Sequence, residues 1–114
     1  MDFAAAHMLP NYKGKCANLH GHTWQIEVGI SGEIHGITGM VVDFVQVKRL
    51  LEPIIDRHFD HHYLNDTVAN PTAENIAGFV YKELCDCPLF TDEGLTLSEV
   101  TVWESEDSKV TVRG

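Results

Sequence analysis

Trp24, Ile26, Val28 and Ile30 are apolar while Gln25, Glu27 and Ser31 between and after them are not, and this alternation constrains the fold more than any other stretch of the chain. A period of two belongs to a strand with one face on a core and the other toward water. His20 and His22 share the even parity of the apolar stripe and directly precede it. A strand regular down to His20 therefore projects two imidazoles from its apolar side, close enough to share a metal ion. Gly21 has no side chain on the opposite face and lets the backbone bend where the strand begins, although a bulge there would break the inference. Zinc is the first metal to consider, because imidazole suits it and the nearby Cys16 would tolerate it.

Two histidines need a third ligand, and His7 is the best candidate. It ends Phe3-Ala4-Ala5-Ala6-His7, which can lie antiparallel to residues 22–30 if residues 13–18 form the connecting loop. The end of the first strand then meets the start of the second, with His7 beside His20 and His22. The competing reading of His7 is a strand-end histidine bonded to backbone.

Further along, residues 32–39 contain three glycines and read as a turn-rich connection, with Met40-Val41-Val42 completing a hairpin. Asp43 is a good N-cap for a helix whose apolar positions are Phe44, Val47, Leu51, Ile54 and Ile55, ending near His58. Pro53 should kink its last turns. Asn70 caps a second helix with Pro71 at its first position and Ile76, Phe79, Val80 and Leu84 along one face. Residues 87–94 read as a loop. Val100 and Val102 mark a third strand, Glu106-Asp107-Ser108 a turn and Val110-Thr111-Val112 a fourth strand. The order ββααββ is an α+β pattern, an antiparallel sheet with two helices on one face.

Length and charge set outer limits. At 114 residues the chain is expected to be one domain, residues 1–114, with a real core and room to gain from oligomerisation. A formal charge of −9 argues against nucleic acid as a partner. No apolar run approaches the roughly 18 residues of a membrane span, and the N-terminus lacks the regions of a signal peptide. Three cysteines, an odd number, argue against a disulfide framework, so a cytoplasmic location is expected. Cys85 and Cys87 read as incidental thiols rather than a metal pair.

Three further signals carry chemistry. Cys16 follows Lys15 and precedes His20 by four residues; a thiol near an ammonium group and a metal is pushed toward thiolate and becomes a base near neutral pH. Alternatively Cys16 ligates the metal. Three histidines plus a cysteine make a closed structural site, whereas three histidines alone leave a position open for substrate. Asp60-His61 can form a carboxylate–imidazole pair if the segment is non-helical, the other reading being a polar exit from the helix. Glu104 shares parity with Val100 and Val102, so it needs a partner to offset desolvation. A ligand edge with two parallel N–H donors, an arginine, or solvent at a strand end would each serve. Glu74 is explained by the helix macrodipole. His58 and His62 read as helix-end and surface histidines, and His35 has no visible partner.

Taken together, Phe3-Ala4-Ala5-Ala6-His7, Cys16 followed by Leu19-His20-Gly21-His22, Asp60-His61 with Leu64-Asn65, Pro71-Thr72-Ala73-Glu74-Asn75 and Val102-Trp103-Glu104-Ser105 resemble the 6-pyruvoyl-tetrahydropterin synthase family, in order over nearly the whole chain. The three residues between Cys16 and His20 resemble its 6-carboxytetrahydropterin synthases of deazapurine (queuosine and archaeosine) biosynthesis. The resemblance implies the tunnelling fold, in which three four-stranded sheets close into a barrel and two trimers stack into a homohexamer with intersubunit active sites. It implies His7, His20 and His22 as zinc ligands, Cys16 as general base, Asp60 and His61 as an acid/base pair from a neighbouring subunit, and Glu104 as pterin anchor. Thr72 and Lys15 join Glu104 as substrate-binding candidates, Lys15 with Lys13 being nearest in position to receive a triphosphate. The implied reaction converts dihydroneopterin triphosphate and water to 6-carboxytetrahydropterin, acetaldehyde and triphosphate. The alternatives are 6-pyruvoyl-tetrahydropterin synthesis and a non-catalytic zinc-binding domain.

Overall fold

Four strands form one antiparallel sheet in the order β1-β2-β3-β4, with β1 at Asp2–His7, β2 at His20–Ser31, β3 at Thr96–Ser105 and β4 at Ser108–Arg113. In this computed structural model all 114 residues are described except the side chain of Cys16. Helices α1 (Phe44–His58) and α2 (Ala73–Cys85) separate the two hairpins, and a single turn, α3 (Pro88–Thr91), lies in the segment expected to be loop. The expected order ββααββ is the observed one, with α3 added.

The alternation read from the sequence is the division between the sheet's faces. Phe3, Ala5, Trp24, Ile26, Val100 and Val102 are buried against Leu51 and Ile55 of α1 and Ile76, Ala77, Val80 and Leu84 of α2. Each fully buried aliphatic or aromatic side chain contributes roughly 1.5–3 kcal/mol, so this one layer supplies most of the drive to fold. The other face is polar and paired across strands. The Trp103 indole donates to Glu27 at 2.8 Å, Thr101 and Thr111 share a hydroxyl contact at 2.7 Å, and Arg113 meets Glu99 at 2.9 Å.

Several local expectations are corrected. β1 pairs with residues 20–25 of β2, not 22–30, because the register puts His7 opposite His20 and Asp2 opposite Gln25. No bulge interrupts it at Gly21. Met40-Val41-Val42 form no strand; the segment closes on itself through His35 N–H to Met40 O and Gly39 N–H to His35 O, both 2.8 Å. His35 has partners after all, its Nδ1 accepting from the amides of Ile37 and Thr38. Phe44 is 87% exposed rather than core, since it sits in the first turn of α1 beyond the packed part of the helix.

The caps follow local chemistry. Asp43 caps α1 as expected, accepting from the Val45 amide at 2.9 Å, and α1 continues through Pro53. Thr72, not Asn70, caps α2: its hydroxyl accepts from the Asn75 amide at 3.1 Å. A hydroxyl three residues before that amide has the usual N-cap reach. Asn70 contributes its carbonyl instead, accepting from the Thr72 amide and the Asn75 side chain.

Candidate metal centre

Register builds the centre. Opposing His7 to His20 at the end of the β1–β2 ladder, with His22 two residues further on the same face, brings three imidazoles together. Their ring centroids are separated by 4.4 Å (His7–His20), 4.7 Å (His20–His22) and 5.3 Å (His7–His22). Trp24, next on the same face, floors the cluster with its ring 4.9 Å from His7 and 5.4 Å from His22. The Trp24 indole N–H donates to Ala5 O at 3.3 Å, which ties the floor to the strand that carries His7.

The hydrogen bonds behind the rings decide which nitrogen faces inward. His7 Nδ1 lies 2.8 Å from Pro71 O, and His20 Nδ1 lies 2.7 Å from Asn18 O. A carbonyl can only accept, so both Nδ1 atoms carry a proton, and in a ring with a single N–H the Nε2 atom is left with a lone pair. Those two Nε2 atoms face each other at 2.9 Å. Two lone pairs held at that distance require a positive charge between or beside them. Burial lowers the pKa of His7, an effect larger than the opposing hydrogen bond to Pro71, so the neutral ring, the form that can bind a metal ion, is favoured.

His22 completes the argument. Burial lowers its pKa as well, ahead of the opposing charge of Glu104, and its Nε2 is buried with no hydrogen-bond partner. Glu104 Oε1 stands 3.3 Å from that atom without hydrogen-bond geometry. The donor atoms of His7, His20, His22 and Glu104 all lie within 4.8 Å of one another, and they could hold a metal ion. Among the described residues no other group of three or more metal donors converges in this way. A nitrogen-rich set with one carboxylate fits zinc.

Asp60 and His61 are brought together, but elsewhere. After α1 the chain runs beside the free edge of β1: the His61 amide donates to Ala4 O at 2.7 Å, the Ala6 amide to His62 O at 3.3 Å, and Ala6 bridges Tyr63 in parallel. Asp60 Oδ1 accepts from the Ala4 amide at 3.1 Å and touches His61 Nδ1 at 3.0 Å. The Ala4 bond first, and His61 second, lower the Asp60 pKa and keep the carboxylate charged. His61 adopts φ 58°, which few residues other than glycine tolerate, and its side chain is 82% exposed. Ala4 and His7 are three residues apart on β1, so the pair stands roughly 10 Å along the strand from the metal donors.

The remaining candidates fall near or outside the centre. Thr72 follows Pro71, whose carbonyl holds His7, and its O–H is free to donate because its oxygen accepts in the helix cap. Lys15 is exposed, in a short 3-10 turn at Lys15–Ala17. The Cys16 side chain, expected to act as base or ligand, lies outside the described residues. Cys85 and Cys87 each donate to a carbonyl of α2, Lys82 O and Glu83 O, as incidental thiols do, and burial raises the Cys87 pKa.

Sequence reasoning gave no role to Asn65. Its side chain grips the backbone of Met8 twice, accepting from the amide and donating to the carbonyl at 2.9 Å each, and so fixes the residue after His7. Only the place of Leu64-Asn65 beside Asp60-His61 in the motif that carried the family resemblance hinted at it. The carbonyls of Asn18 and Pro71 had no sequence signal, because every residue has a carbonyl.

The profile of a family described as 6-pyruvoyl tetrahydropterin synthase matches residues 1–114. A 6-carboxy-5,6,7,8-tetrahydropterin synthase from Synechocystis is 41% identical over 88 residues, 72% of this chain and 68% of that protein. Another from Haemophilus influenzae is 32% identical over 131 aligned positions, covering 93% and 89% of the two chains. The solved 6-pyruvoyl tetrahydropterin synthase of Caenorhabditis elegans superposes with a TM-score of 0.85 at 27% identity, covering 100% of this chain and 91% of that one.

Proposed function

The chain belongs to the 6-pyruvoyl tetrahydropterin synthase family, and from that premise we propose that it is a zinc-dependent 6-carboxytetrahydropterin synthase. The reaction is conversion of 7,8-dihydroneopterin triphosphate and water to 6-carboxytetrahydropterin, acetaldehyde and triphosphate, for deazapurine synthesis. The observation that carries the reading is the convergence of three imidazoles on one point, two with their outer nitrogens tied to carbonyls and the third with its inner nitrogen buried and unpartnered. The spacing of Cys16 from His20 and the relatives of that name favour the carboxy-forming reaction over the pyruvoyl-forming one.

His7, His20 and His22 would hold the zinc. When bound, zinc would supply Lewis acidity to the substrate's side-chain hydroxyls, the effect by which a metal lowers the pKa of bound water to about 7. Cys16 removes the carbon-bound proton, and the pterin ring stores the electron pair that this releases. Asp60, held charged by the Ala4 amide, orients His61, and His61 moves protons as the triphosphate leaves. Glu104 receives the two N–H donors of the pterin edge, Thr72 donates its hydroxyl to the substrate, and Lys15 meets the triphosphate.

The whole chain works as one domain within a homohexamer, a dimer of trimers, and His61 serves the site of a neighbouring copy. Its exposure and its distance from the metal donors of its own chain support that assignment. The polar, cross-paired outer face of the sheet suits a barrel interior, while exposed Ile37 and Phe44 suit contacts between copies. No described helix is long and apolar enough to cross a membrane, and the reaction is assigned to the cytoplasm.

Mass analysis of the products formed from dihydroneopterin triphosphate by the zinc-loaded protein tests the proposal. Equal amounts of 6-carboxytetrahydropterin and acetaldehyde are expected. A pyruvoyl product without acetaldehyde would move the chain to the other activity, and a 6-hydroxymethylpterin would make it an aldolase. No turnover with tightly bound zinc would favour a non-catalytic zinc-binding domain.

A further inference from the structure

Glu104 stands against the wrong nitrogen for a merely supporting carboxylate. In carboxylate–histidine–metal arrangements the carboxylate grips the ring nitrogen that points away from the ion. That outer position is where Pro71 O and Asn18 O hold His7 and His20. Glu104 Oε1 instead approaches His22 Nε2, one of the donor atoms that converge with those of His7 and His20. The separation is 3.3 Å, and two donors of a tetrahedral zinc site with bonds of about 2.0–2.1 Å stand roughly 3.3–3.4 Å apart.

The strand geometry explains how a carboxylate reaches that point. The β2–β3 register pairs Gln25 with Trp103, so its next step sets Glu104 beside Trp24, the floor of the cluster. The β3–β4 register shifts between Trp103 and Ser105, which places Glu104 at the irregularity. Such a shift re-aims a side chain and frees its residue from the regular ladder. The Glu104 side chain is 29% exposed, so it has room to move.

We propose that Glu104 is the fourth ligand of the resting metal centre and an exchangeable one, released when a pterin claims the same carboxylate. The inference rests on the zinc-centred reading above and deepens it: metal and pterin compete for one side chain. The resting centre is then closed by a residue other than Cys16, which leaves the thiol available.

Chelator competition and visible spectra of the cobalt(II)-substituted protein provide the test, with neopterin as the pterin probe. Glu104→Gln and Glu104→Ala are expected to weaken zinc binding by roughly 10–100-fold, about the range known for perturbed metal sites. Their cobalt spectra should differ from wild type, which the loss of a merely nearby charge would not produce. Saturating neopterin should move the wild-type cobalt spectrum toward that of Glu104→Gln. Wild-type zinc affinity and an unchanged cobalt spectrum in both variants would overturn ligation, and a wild-type spectrum that neopterin leaves unmoved would overturn exchange. If His22→Ala kept full zinc affinity, the metal centre itself would fail, a result separate from either of these.

Discussion

Two histidine sites stand along β1, and they are built in opposite ways. At the end of β1, His7 is fully buried and is aligned with His20 and His22 by strand register. In the turn that runs beside the same strand, His61 is 82% exposed, strained at φ 58° and tied to one carboxylate. In the first site the outer nitrogens of His7 and His20 are held by carbonyls of the same chain. The second holds a charged carboxylate and an oriented imidazole that is largely exposed. A site that gathers donors is completed by tertiary folding alone, whereas a site that presents a donor is completed by what it meets.

Breaking the first site has the largest expected effect. His22→Ala should lower zinc affinity by more than about 100-fold, beyond the loss typical of outer-shell changes, and turnover should vanish with the metal. Metal content after dialysis, with turnover of dihydroneopterin triphosphate, reads both. His61→Ala should leave zinc content at wild type and reduce kcat by roughly 100-fold, the lower range for a positioned acid or base. A parallel loss of zinc in that variant would mean that the two sites are one.

Asn65→Ala probes the join between the sites, because Asn65 follows the Asp60–His61 segment in the chain and clamps the residue after His7. Removing the clamp should cost about 1–3 kcal/mol of stability and roughly 10-fold in zinc affinity, read by denaturant melts and chelator competition. An unchanged zinc affinity would show that register alone holds His7. The smallest effect is on pH. Burial keeps the folded-state pKa values of His7 and His22 below 6.5, so below that pH the unfolded chain binds more protons than the folded one. Stability of the metal-free protein should therefore be fully present above about pH 6.5 and fall gradually as pH drops toward the depressed values. Melting temperatures that rise on acidification across that window would contradict the assigned neutral state.

Much of this was legible in the residues. Period-two alternation set the buried face of β2, and parity carried it to His20, His22 and Glu104, because a regular strand cannot turn one residue without turning the next. Helix caps were less secure: Asn70, Pro71 and Thr72 all suit a helix start, and only backbone direction selected Thr72. Phe44 shows the same limit, since helical spacing places it on the apolar face but cannot say where the packed surface ends.

By itself, then, the sequence determined which side chains share a face, since that depends only on the geometry of successive residues. It also determined that a cluster of imidazoles would stand at one end of the sheet. Tertiary structure alone decided the tautomers of His7 and His20, through carbonyls of Pro71 and Asn18 that no residue type announces. It also decided that Glu104 meets the inner nitrogen of His22, because the shift in register at the end of β3 depends on two strands at once.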